Sequence, residues 1–261
     1  MNQARHSDSA ETPHVAILCG GLGTRLRSAV ADRPKALAEV AGRPFLAWLL
    51  DLLDTHGFSR VVLCTGYRAV QIETEFGASH RGLHLRYSPE PEMLGTGGAL
   101  RHALPLLETE TVLVVNGDSY CHADLGRFWR DHADSRAAAS MLLSHVDDTS
   151  RYGSVRLSEH GRVAAFQEKA ASTGPGWINA GIYLANRALL QAIPPRTACS
   201  LEREVFPSWI KLGLRGVMSD GAFVDIGTPE SYVDANCLFQ EFLRVPCPVH
   251  AAHHSTIGAA P

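Results

Sequence analysis

The sequence predicts an α/β fold built on a doubly wound, mostly parallel sheet. Short apolar runs rich in β-branched residues lie at 14–19, 60–65 and 111–118, and such runs are typical of strands buried on both faces. Helical patterns separate them at 44–57, which ends in a glycine, and at 95–107, where apolar residues recur at i, i+3 and i+4. This alternation of strands and helices indicates right-handed crossovers and therefore a parallel sheet.

The sequence pattern changes in the second half of the chain. Strand-like stretches occupy 137–146, 152–169 and 177–186, and the second of them contains a hairpin turn. Two helical patterns follow at 200–213 and 228–244, each opened by a serine or threonine that is a typical N-cap. We interpret the strand-like part as a small mixed β insertion within the same domain.

The composition limits the partners and the location of the chain. It has 261 residues, a net charge of −3 and 20% charged residues, so it lacks the overall basic field that favours nucleic acid. The sequence contains no apolar run long enough to span a membrane, and its polar N-terminus has no signal-peptide core, which predicts a cytoplasmic protein. We expect one domain at 14–243 between flexible tails at 1–13 and 244–261.

A glycine-rich segment, Gly20-Gly21-Leu22-Gly23-Thr24-Arg25-Leu26, follows the first predicted strand. A dinucleotide-binding fingerprint needs a third glycine where Leu26 stands, and a P-loop needs Gly-Lys-Ser/Thr at its end, so neither motif is met. The segment is instead predicted to turn backbone N–H groups toward an anion, with Arg25 inside it and Lys35 close behind. Two fixed cations beside such a loop favour a triphosphate substrate. The alternative is an ordinary tight turn with solvated basic side chains.

Two aspartates follow apolar runs that predict strands, Asp118 after 111–117 and Asp225 after 222–224. Ligands of α/β proteins bind at the carboxyl ends of the strands, where two carboxylates can converge on one Mg²⁺. This ion takes few protein ligands and keeps waters and phosphate oxygens. Either aspartate alone is more often a turn or cap residue, whereas the two together with the glycine loop favour a metal site.

A series of motifs, taken in order, resembles the sugar-1-phosphate nucleotidyltransferases. The signature GGxGTRL…PK of that family is matched by 20–26 and 33–37. The similarity continues through Leu94-Gly95-Thr96-Gly97-Gly98, Asn116-Gly117-Asp118, Glu168-Lys169, Asn179-Ala180-Gly181 and Asp225-Ile226-Gly227. The resemblance covers about 14–243 and implies a Rossmann-like, GT-A-like fold. It also implies the transfer of a nucleoside monophosphate from an NTP to a sugar 1-phosphate with release of pyrophosphate.

Within this family, the stretches at 151–155, 179–184 and 200–207 are most similar to guanylyltransferases. The resemblance implies GTP as the NTP and D-glycero-α-D-manno-heptose 1-phosphate as the sugar phosphate. Mannose 1-phosphate with GTP, and a hexose or N-acetylated amino sugar 1-phosphate with UTP, are the alternatives.

The resemblance also assigns roles to the charged residues. Arg25 and the loop amides would hold the β- and γ-phosphates, Lys35 would neutralise charge at the α-phosphate, and Lys169 would neutralise the sugar phosphate. Asp118 and Asp225 would hold the Mg²⁺. Catalysis of this kind is positioning and charge neutralisation, without a covalent enzyme intermediate.

The remaining expected contacts also follow from the family's motifs. The nucleotide is expected to contact Leu18, Gly20, Gly21, Gly23, Thr24, Arg25, Gly95, Thr96, Gly97, Asn116 and Gly117. The sugar phosphate is expected to contact Tyr152, Gly153, Glu168, Lys169 and Asn179.

Two other functions are compatible with parts of this pattern. One is a catalytically silent regulatory paralogue that senses a nucleotide sugar, which the presence of all the charged motif residues disfavours. The other is a nicotinamide-dependent oxidoreductase, which Leu26 disfavours. Assembly into a homo-oligomer is compatible with either function or with the transferase.

Overall fold

The computed structural model describes residues 11–26, 29–30, 32–167 and 174–244. The first strand begins at His14 and the last helix ends at Arg244, so every described helix and strand falls between these two residues. The tails expected to be flexible, 1–13 and 244–261, lie almost wholly outside the described residues.

Fourteen strands are present in the described part of the chain. They are β1 (His14–Leu18), β2 (Glu39–Val40), β3 (Arg43–Pro44), β4 (Arg60–Thr65), β5 (Ser79–His80), β6 (Leu83–Pro89), β7 (Thr111–Asn116), β8 (Ser119–Cys121), β9 (Ala139–Val146), β10 (Ser154–Leu157), β11 (Val163–Gln167), β12 (Gly176–Asn186), β13 (Arg215–Ser219) and β14 (Phe223–Asp225). The strands predicted at 14–19, 60–65 and 111–118 are therefore confirmed as β1, β4 and β7.

Seven α-helices accompany these strands across the same described residues. They are α1 (Phe45–Thr55), α2 (Ala69–Phe76), α3 (Gly95–Ala103), α4 (Leu125–Ser135), α5 (Arg187–Gln191), α6 (Phe206–Lys211) and α7 (Pro229–Arg244). No helix in the described ranges is long and apolar enough to cross a membrane.

Ten of the strands form one sheet, and its central strands run in the order β7-β1-β4-β6, all parallel. The long strand β12 lies antiparallel to β7 and also to β9, while β10 and β11 extend one edge. The mixed strands expected in the second half are therefore present, and β12 joins them to the main sheet. The predicted mostly parallel α/β fold is confirmed.

Both faces of the central strands are buried. Along β1, Val15 and Ile17 point into one core, which also contains Phe239 of α7, and Ala16 points into the other, which contains Phe206 of α6. Alternate side chains of a strand point to opposite faces of its sheet, so the consecutive apolar residues of β1 need a core on each side. This arrangement makes the sheet doubly wound.

The predicted helix at 95–107 is shorter than its pattern suggested. The α-helix ends at Ala103, and Leu104–Leu106 continue as a single 3₁₀ turn. Pro105 has no N–H to donate to the carbonyl of Arg101, so regular α-helical bonding cannot continue through it.

The two predicted N-caps are confirmed. The Ser200 hydroxyl accepts from the Arg203 N–H at 3.2 Å, and the Thr228 hydroxyl accepts from the Ser231 N–H at 3.3 Å. After Ser200 the chain first makes a wide π-turn over Leu201–Val205 and only then enters α6.

Helix α7 packs on the sheet through Phe239, which is fully buried. Its ring lies 4.5 Å from that of Trp48 and 4.8 Å from that of Tyr120, measured between centroids. Because Tyr120 belongs to β8, this contact joins the helix to the strands that carry the cleft described below.

We expect Phe239→Ala to lower the free energy of unfolding by about 3–5 kcal/mol, because it removes a buried aromatic ring and leaves a cavity. Leu243→Ala is the matched control in the same helix, since Leu243 is 59% exposed and should change stability by about 0.5 kcal/mol at most. Urea unfolding of both variants measures the difference. Equal losses would contradict the assigned packing.

Candidate active site

A cleft of about 560 Å³ opens at the carboxyl ends of β1, β4 and β7. The glycine loop after β1, the start of α3, β12 and β14 complete its walls. Most of the site residues predicted from sequence line it: Leu18, Gly20, Gly21, Arg25, Lys35, Gly95, Thr96, Asn116, Gly117, Asp118, Tyr152, Gly153, Asn179 and Asp225.

Close backbone approach explains part of the glycine content of the cleft. The Gly20 carbonyl accepts from the Tyr67 N–H at 3.2 Å, and the Leu18 carbonyl accepts from the Gly117 N–H at 2.9 Å. A Cβ on Gly117 would lie 2.7 Å from that Leu18 oxygen, which is too close for any side chain. By contrast, a Cβ on Gly21 meets nothing within 4 Å, so this glycine leaves open space at the mouth of the cleft.

Within the described residues, the loop does not lead into an α-helix as a dinucleotide-binding loop does. Leu26 is buried in the core at 1% exposure, and α1, the next α-helix in the described part of the chain, begins only at Phe45. A dinucleotide site places its pyrophosphate on the N-terminus of a helix that starts at the loop. The geometry therefore argues against the oxidoreductase alternative.

The two aspartates are brought together by a short antiparallel strand pair. Strand β14 pairs with β8 so that Asp225 lies opposite Ser119, and the Ile226 N–H donates to the Asp118 carbonyl at 2.9 Å. Asp118 directly precedes β8, so both carboxylates are presented at the same mouth of the cleft.

The carboxylate of Asp225 is held by several donors. Its Oδ1 accepts from the Gly227 N–H at 2.5 Å and from the Ser231 hydroxyl at 3.0 Å, and its Oδ2 accepts from the Tyr152 hydroxyl at 2.9 Å. Burial first, and the nearby Asp225 charge second, raise the pKa of Tyr152, so the phenol stays protonated and donates. The geometry fixes the direction in which Asp225 points.

Lys35 connects the glycine loop to the aspartates. Its Nζ donates to Asp118 Oδ2 at 2.7 Å, and the lysine side chain is only 14% exposed whereas that of Asp118 is 48% exposed. A Cβ on Gly23, whose φ is +60°, would lie 3.2 Å from the Lys35 Cβ. The loop therefore packs on the stem of Lys35 while the amine reaches into the cleft.

The donor set fits a magnesium ion. Asp118 and Asp225 supply carboxylate oxygens, which are the ligands that this hard cation prefers, and the open cleft leaves room for waters and phosphate oxygens. No group of three or more His, Cys, Asp or Glu side chains suited to a metal occurs among the described residues, so a site here would depend on these two carboxylates.

Three predicted nucleotide contacts do not line the cleft. Gly97 faces away from it, because its N–H donates to the Cys199 carbonyl at 2.8 Å and a Cβ there would press on Cys199 and Val205. Gly97 is thus needed for packing of α3 and not for contact with a ligand in this structure. Gly23 and Thr24 belong to the loop without lining the cleft.

Only some of the residues predicted to contact the sugar phosphate line the cleft. Tyr152, Gly153 and Asn179 line the cleft, whereas Glu168 and Lys169 lie outside the described residues. The Asn179 amide is already engaged: its Nδ2 donates to the Tyr183 hydroxyl at 2.7 Å and its Oδ1 accepts from the Gly181 N–H at 2.9 Å. The Tyr152 hydroxyl likewise donates to the Asp225 carboxylate.

Several cleft residues were missed by the sequence interpretation. Glu90 follows β6 at its carboxyl end, and this position in the chain was the signal that could have found it. Glu202 accepts from the Thr96 hydroxyl at 3.1 Å, and Arg151 donates to the Thr228 hydroxyl at 3.2 Å. Both belong to stretches that the sequence motifs singled out, 151–155 and 200–207, but those motifs did not place either side chain in the cleft.

The cysteines at the cleft are unsuited to nucleophilic catalysis. Burial raises the pKa of Cys19 to about 12 and the pKa of Cys64 well above its ordinary value. The thiolate is the nucleophilic form of cysteine, so these thiols are unreactive. This agrees with a reaction that has no covalent enzyme intermediate.

The fold and the cleft define a nucleotide-binding α/β protein whose cations and carboxylates face one another across the strand ends. Residues 14–241 match the model of the nucleotidyl transferase family, and the chain belongs to that family. The family and enzyme class predicted from the sequence are confirmed.

The chain is also similar to individual proteins of known name. It is 36% identical over 228 residues to the D-glycero-alpha-D-manno-heptose 1-phosphate guanylyltransferase of Aneurinibacillus thermoaerophilus, covering 87% of this chain and 98% of that protein. It is 38% identical over 221 residues to the mannose-1-phosphate guanylyltransferase of Mycobacterium tuberculosis, covering 83% of this chain and 62% of that protein.

A solved structure resembles the whole described fold. The crystal structure of HddC from Yersinia pseudotuberculosis complexed with GMP-PN has a TM-score of 0.77 and 32% sequence identity to this chain. The match covers 87% of this chain and 100% of that one.

We expect Tyr152→Phe to lower the free energy of unfolding by about 1.5–3 kcal/mol, because a hydrogen bond to the charged Asp225 carboxylate is lost. Tyr87→Phe is the matched control: its hydroxyl donates to a neutral carbonyl, that of Gly77, at an exposed site, so its loss should be about 1 kcal/mol or less. Urea unfolding at neutral pH measures both. A smaller effect for Tyr152→Phe than for the control would refute the assigned bond.

Proposed function

We propose that this chain transfers a guanylyl group from GTP to D-glycero-α-D-manno-heptose 1-phosphate, giving GDP-heptose and pyrophosphate. One observation carries the proposal: Lys35, Asp118 and Asp225 meet in a single cleft beside a glycine loop that has open space before it. The similarity to a heptose 1-phosphate guanylyltransferase over nearly its whole length supports the choice of substrates.

In the proposed reaction, a phosphate oxygen of the sugar 1-phosphate attacks the α-phosphorus of GTP. A new P–O bond forms as the bond from the α-phosphorus to the bridging oxygen of the β-phosphate breaks, and pyrophosphate leaves with the electron pair. No proton has to move between protein side chains, so the protein's contribution is to bring two anions together and stabilise the charge that shifts to the leaving group.

Each cationic side chain would contact a different phosphate, according to its position in the cleft. Arg25 is exposed at the rim of the cleft, where its guanidinium and the amides of the loop would hold the β- and γ-phosphates. Lys35 is deeper and would contact the α-phosphate, after giving up its bond to Asp118. Lys169 would neutralise the sugar phosphate, a role that stays a prediction. The cytoplasmic location and the possible homo-oligomer also stay predictions.

Asp118 and Asp225 would hold a Mg²⁺, which when bound screens the charges of the attacking and leaving oxygens. Lys35 would keep Asp118 in place until substrate arrives, since a lysine ammonium and a divalent cation satisfy the same carboxylate. The Tyr152, Ser231 and Gly227 donors hold Asp225 in a fixed orientation, which supports a role in positioning rather than proton transfer.

Asp118→Asn and Asp225→Asn should each lower kcat by about 100-fold or more while the proteins remain folded, because an amide has the size of a carboxylate but lacks the charge that the metal needs. Asp134→Asn, on the exposed face of α4, is the control and should have wild-type kcat. Release of pyrophosphate at several Mg²⁺ concentrations measures the effect. Near-normal Mg²⁺-dependent turnover in both variants would overturn the metal assignment.

Mannose-1-phosphate guanylyl transfer is the second candidate, because a mannose-1-phosphate guanylyltransferase is 38% identical to this chain. A heptose has one more hydroxyl-bearing carbon than mannose, and a pocket that hydrogen-bonds this hydroxyl discriminates strongly against a sugar that lacks it. The heptose enzyme is the preferred match because the alignment spans 98% of it, against 62% of the mannose enzyme.

We expect kcat/KM to be highest for GTP with the heptose 1-phosphate. The comparison pairs are GTP with mannose 1-phosphate and UTP with N-acetylglucosamine 1-phosphate, assayed by pyrophosphate release under one set of conditions. An advantage of about tenfold or more for either pair would replace the substrate assignment without affecting the family. Absence of pyrophosphate with every pair would reject the proposed reaction itself.

A further inference from the structure

The start of α3 is weakly capped by its own residues. Leu94 at the N-cap position makes no side-chain hydrogen bond to the helix, and the first turn contains no acidic residue. Gly95, Gly97 and Gly98 belong to this turn, and glycine loses more conformational freedom in a helix than any other residue. The first N–H groups of a helix also have no partner within it. The conformation of this turn, from which Gly95 and Thr96 line the cleft, therefore has to be fixed from outside α3.

A segment distant in sequence, 197–202, supplies the missing partners. The Cys199 carbonyl accepts from the N–H groups of Gly97 at 2.8 Å and of Gly98 at 3.3 Å. A Cβ on Gly95 would lie 2.7 Å from the same Cys199 oxygen, which is too close for any side chain. The glycines thus let the segment approach the helix, and the bonds formed there offset the flexibility that the glycines bring.

Glu202 makes a side-chain contact at the end of this segment. Its Oε2 accepts from the Thr96 hydroxyl at 3.1 Å and from the Ser200 hydroxyl at 3.0 Å. The Thr96 hydroxyl itself accepts from the Leu201 N–H at 2.8 Å. Thr96 is therefore held at two points, and a hydrogen bond to an ionised carboxylate is roughly twice as strong as one between neutral groups.

The π-turn at Leu201–Val205 turns Glu202 toward α3. The Val205 N–H donates to the Ser200 carbonyl, five positions earlier, at 3.3 Å. A turn of this width holds one residue more than an α-helical turn, so its side chains point in directions that a regular helix does not provide. Glu202 lines the cleft from this turn, whereas Val205 and Phe206 are buried in the core. Such turns often occur at functional sites.

We propose that Glu202 is a positioning residue: by holding Thr96, it fixes the first turn of α3 in the orientation that binds the nucleoside triphosphate. The inference rests on the proposed function for the class of ligand, since Gly95 and Thr96 are predicted to contact the nucleotide. Glu202 acts through Thr96 and not by contact with the nucleotide. Without this bond the turn has to be ordered when the NTP binds, and this ordering lowers the affinity.

The test is a double-mutant cycle on NTP affinity, measured by calorimetric titration with GTP and with UTP in the presence of Mg²⁺. Glu202→Gln keeps the size of the side chain but removes its charge, and it should weaken binding of the preferred NTP by about 10-fold. Thr96→Val removes the hydroxyl and should weaken binding at least as much. Because both changes break the same bond, the double variant should bind about as weakly as Thr96→Val alone.

Glu204→Gln is the matched control, because Glu204 lies in the same π-turn, carries the same charge and does not line the cleft. Its NTP affinity should stay within about twofold of that of the wild-type protein. Thr96→Ser restores the hydroxyl and should recover most of the affinity lost in Thr96→Val. Each variant should unfold cooperatively in urea. If Glu202→Gln does not, Glu202→Asp, which withdraws the carboxylate by one methylene, replaces it in the cycle.

Additive losses in the double variant, or an unchanged affinity in the Glu202 variant, overturn the positioning role. An equal loss in Glu204→Gln also overturns it, since any change of charge in the turn would then suffice. Pyrophosphate release together with an additive cycle rejects this inference alone. A non-additive cycle without pyrophosphate release from any sugar phosphate supports the inference and rejects the proposed reaction. Absence of binding of either NTP to the wild-type protein rejects both.

Discussion

The antiparallel pairing of β8 with β14 is the constraint on which the cleft depends. It places Asp225 opposite Ser119 and ties Ile226 to the carbonyl of Asp118, so two carboxylates from distant parts of the chain come to one strand end. The pair has three residues on each side, and a ribbon this short is unstable alone. The burial of the Phe239 ring against Tyr120 adds stability that the few hydrogen bonds of this ribbon do not provide.

Cations and carboxylates of the cleft lie around the glycine loop. Lys35 and Arg25 line the cleft beside this loop, Lys35 is bonded to Asp118, and the Glu90 carboxylate lies against Gly20. The cleft therefore concentrates charge of both signs, which the small net charge of the chain does not reveal.

Most cleft residues that the motifs named are in the cleft, and the exceptions have physical causes. Gly97 belongs to a glycine-rich stretch, yet its small size serves the close approach of Cys199. Tyr152 and Asn179 were expected to contact the sugar, and in this structure they also bond to Asp225, Tyr183 and the backbone, which orients both side chains. A sequence motif indicates that a residue is needed, but it does not distinguish contact with a ligand from support of a neighbour.

The sequence by itself determined the alternation of strands and helices, the glycine loop and the two aspartates at strand ends, because each of these is local along the chain. Tertiary structure decided which side chains share the cleft. Glu90 meets Gly20, and Glu202 meets Thr96, only because β6 lies beyond β4 and the π-turn before α6 packs on α3. Such contacts between distant residues depend on strand order and on long-range packing, and neither leaves a periodic signal in the sequence.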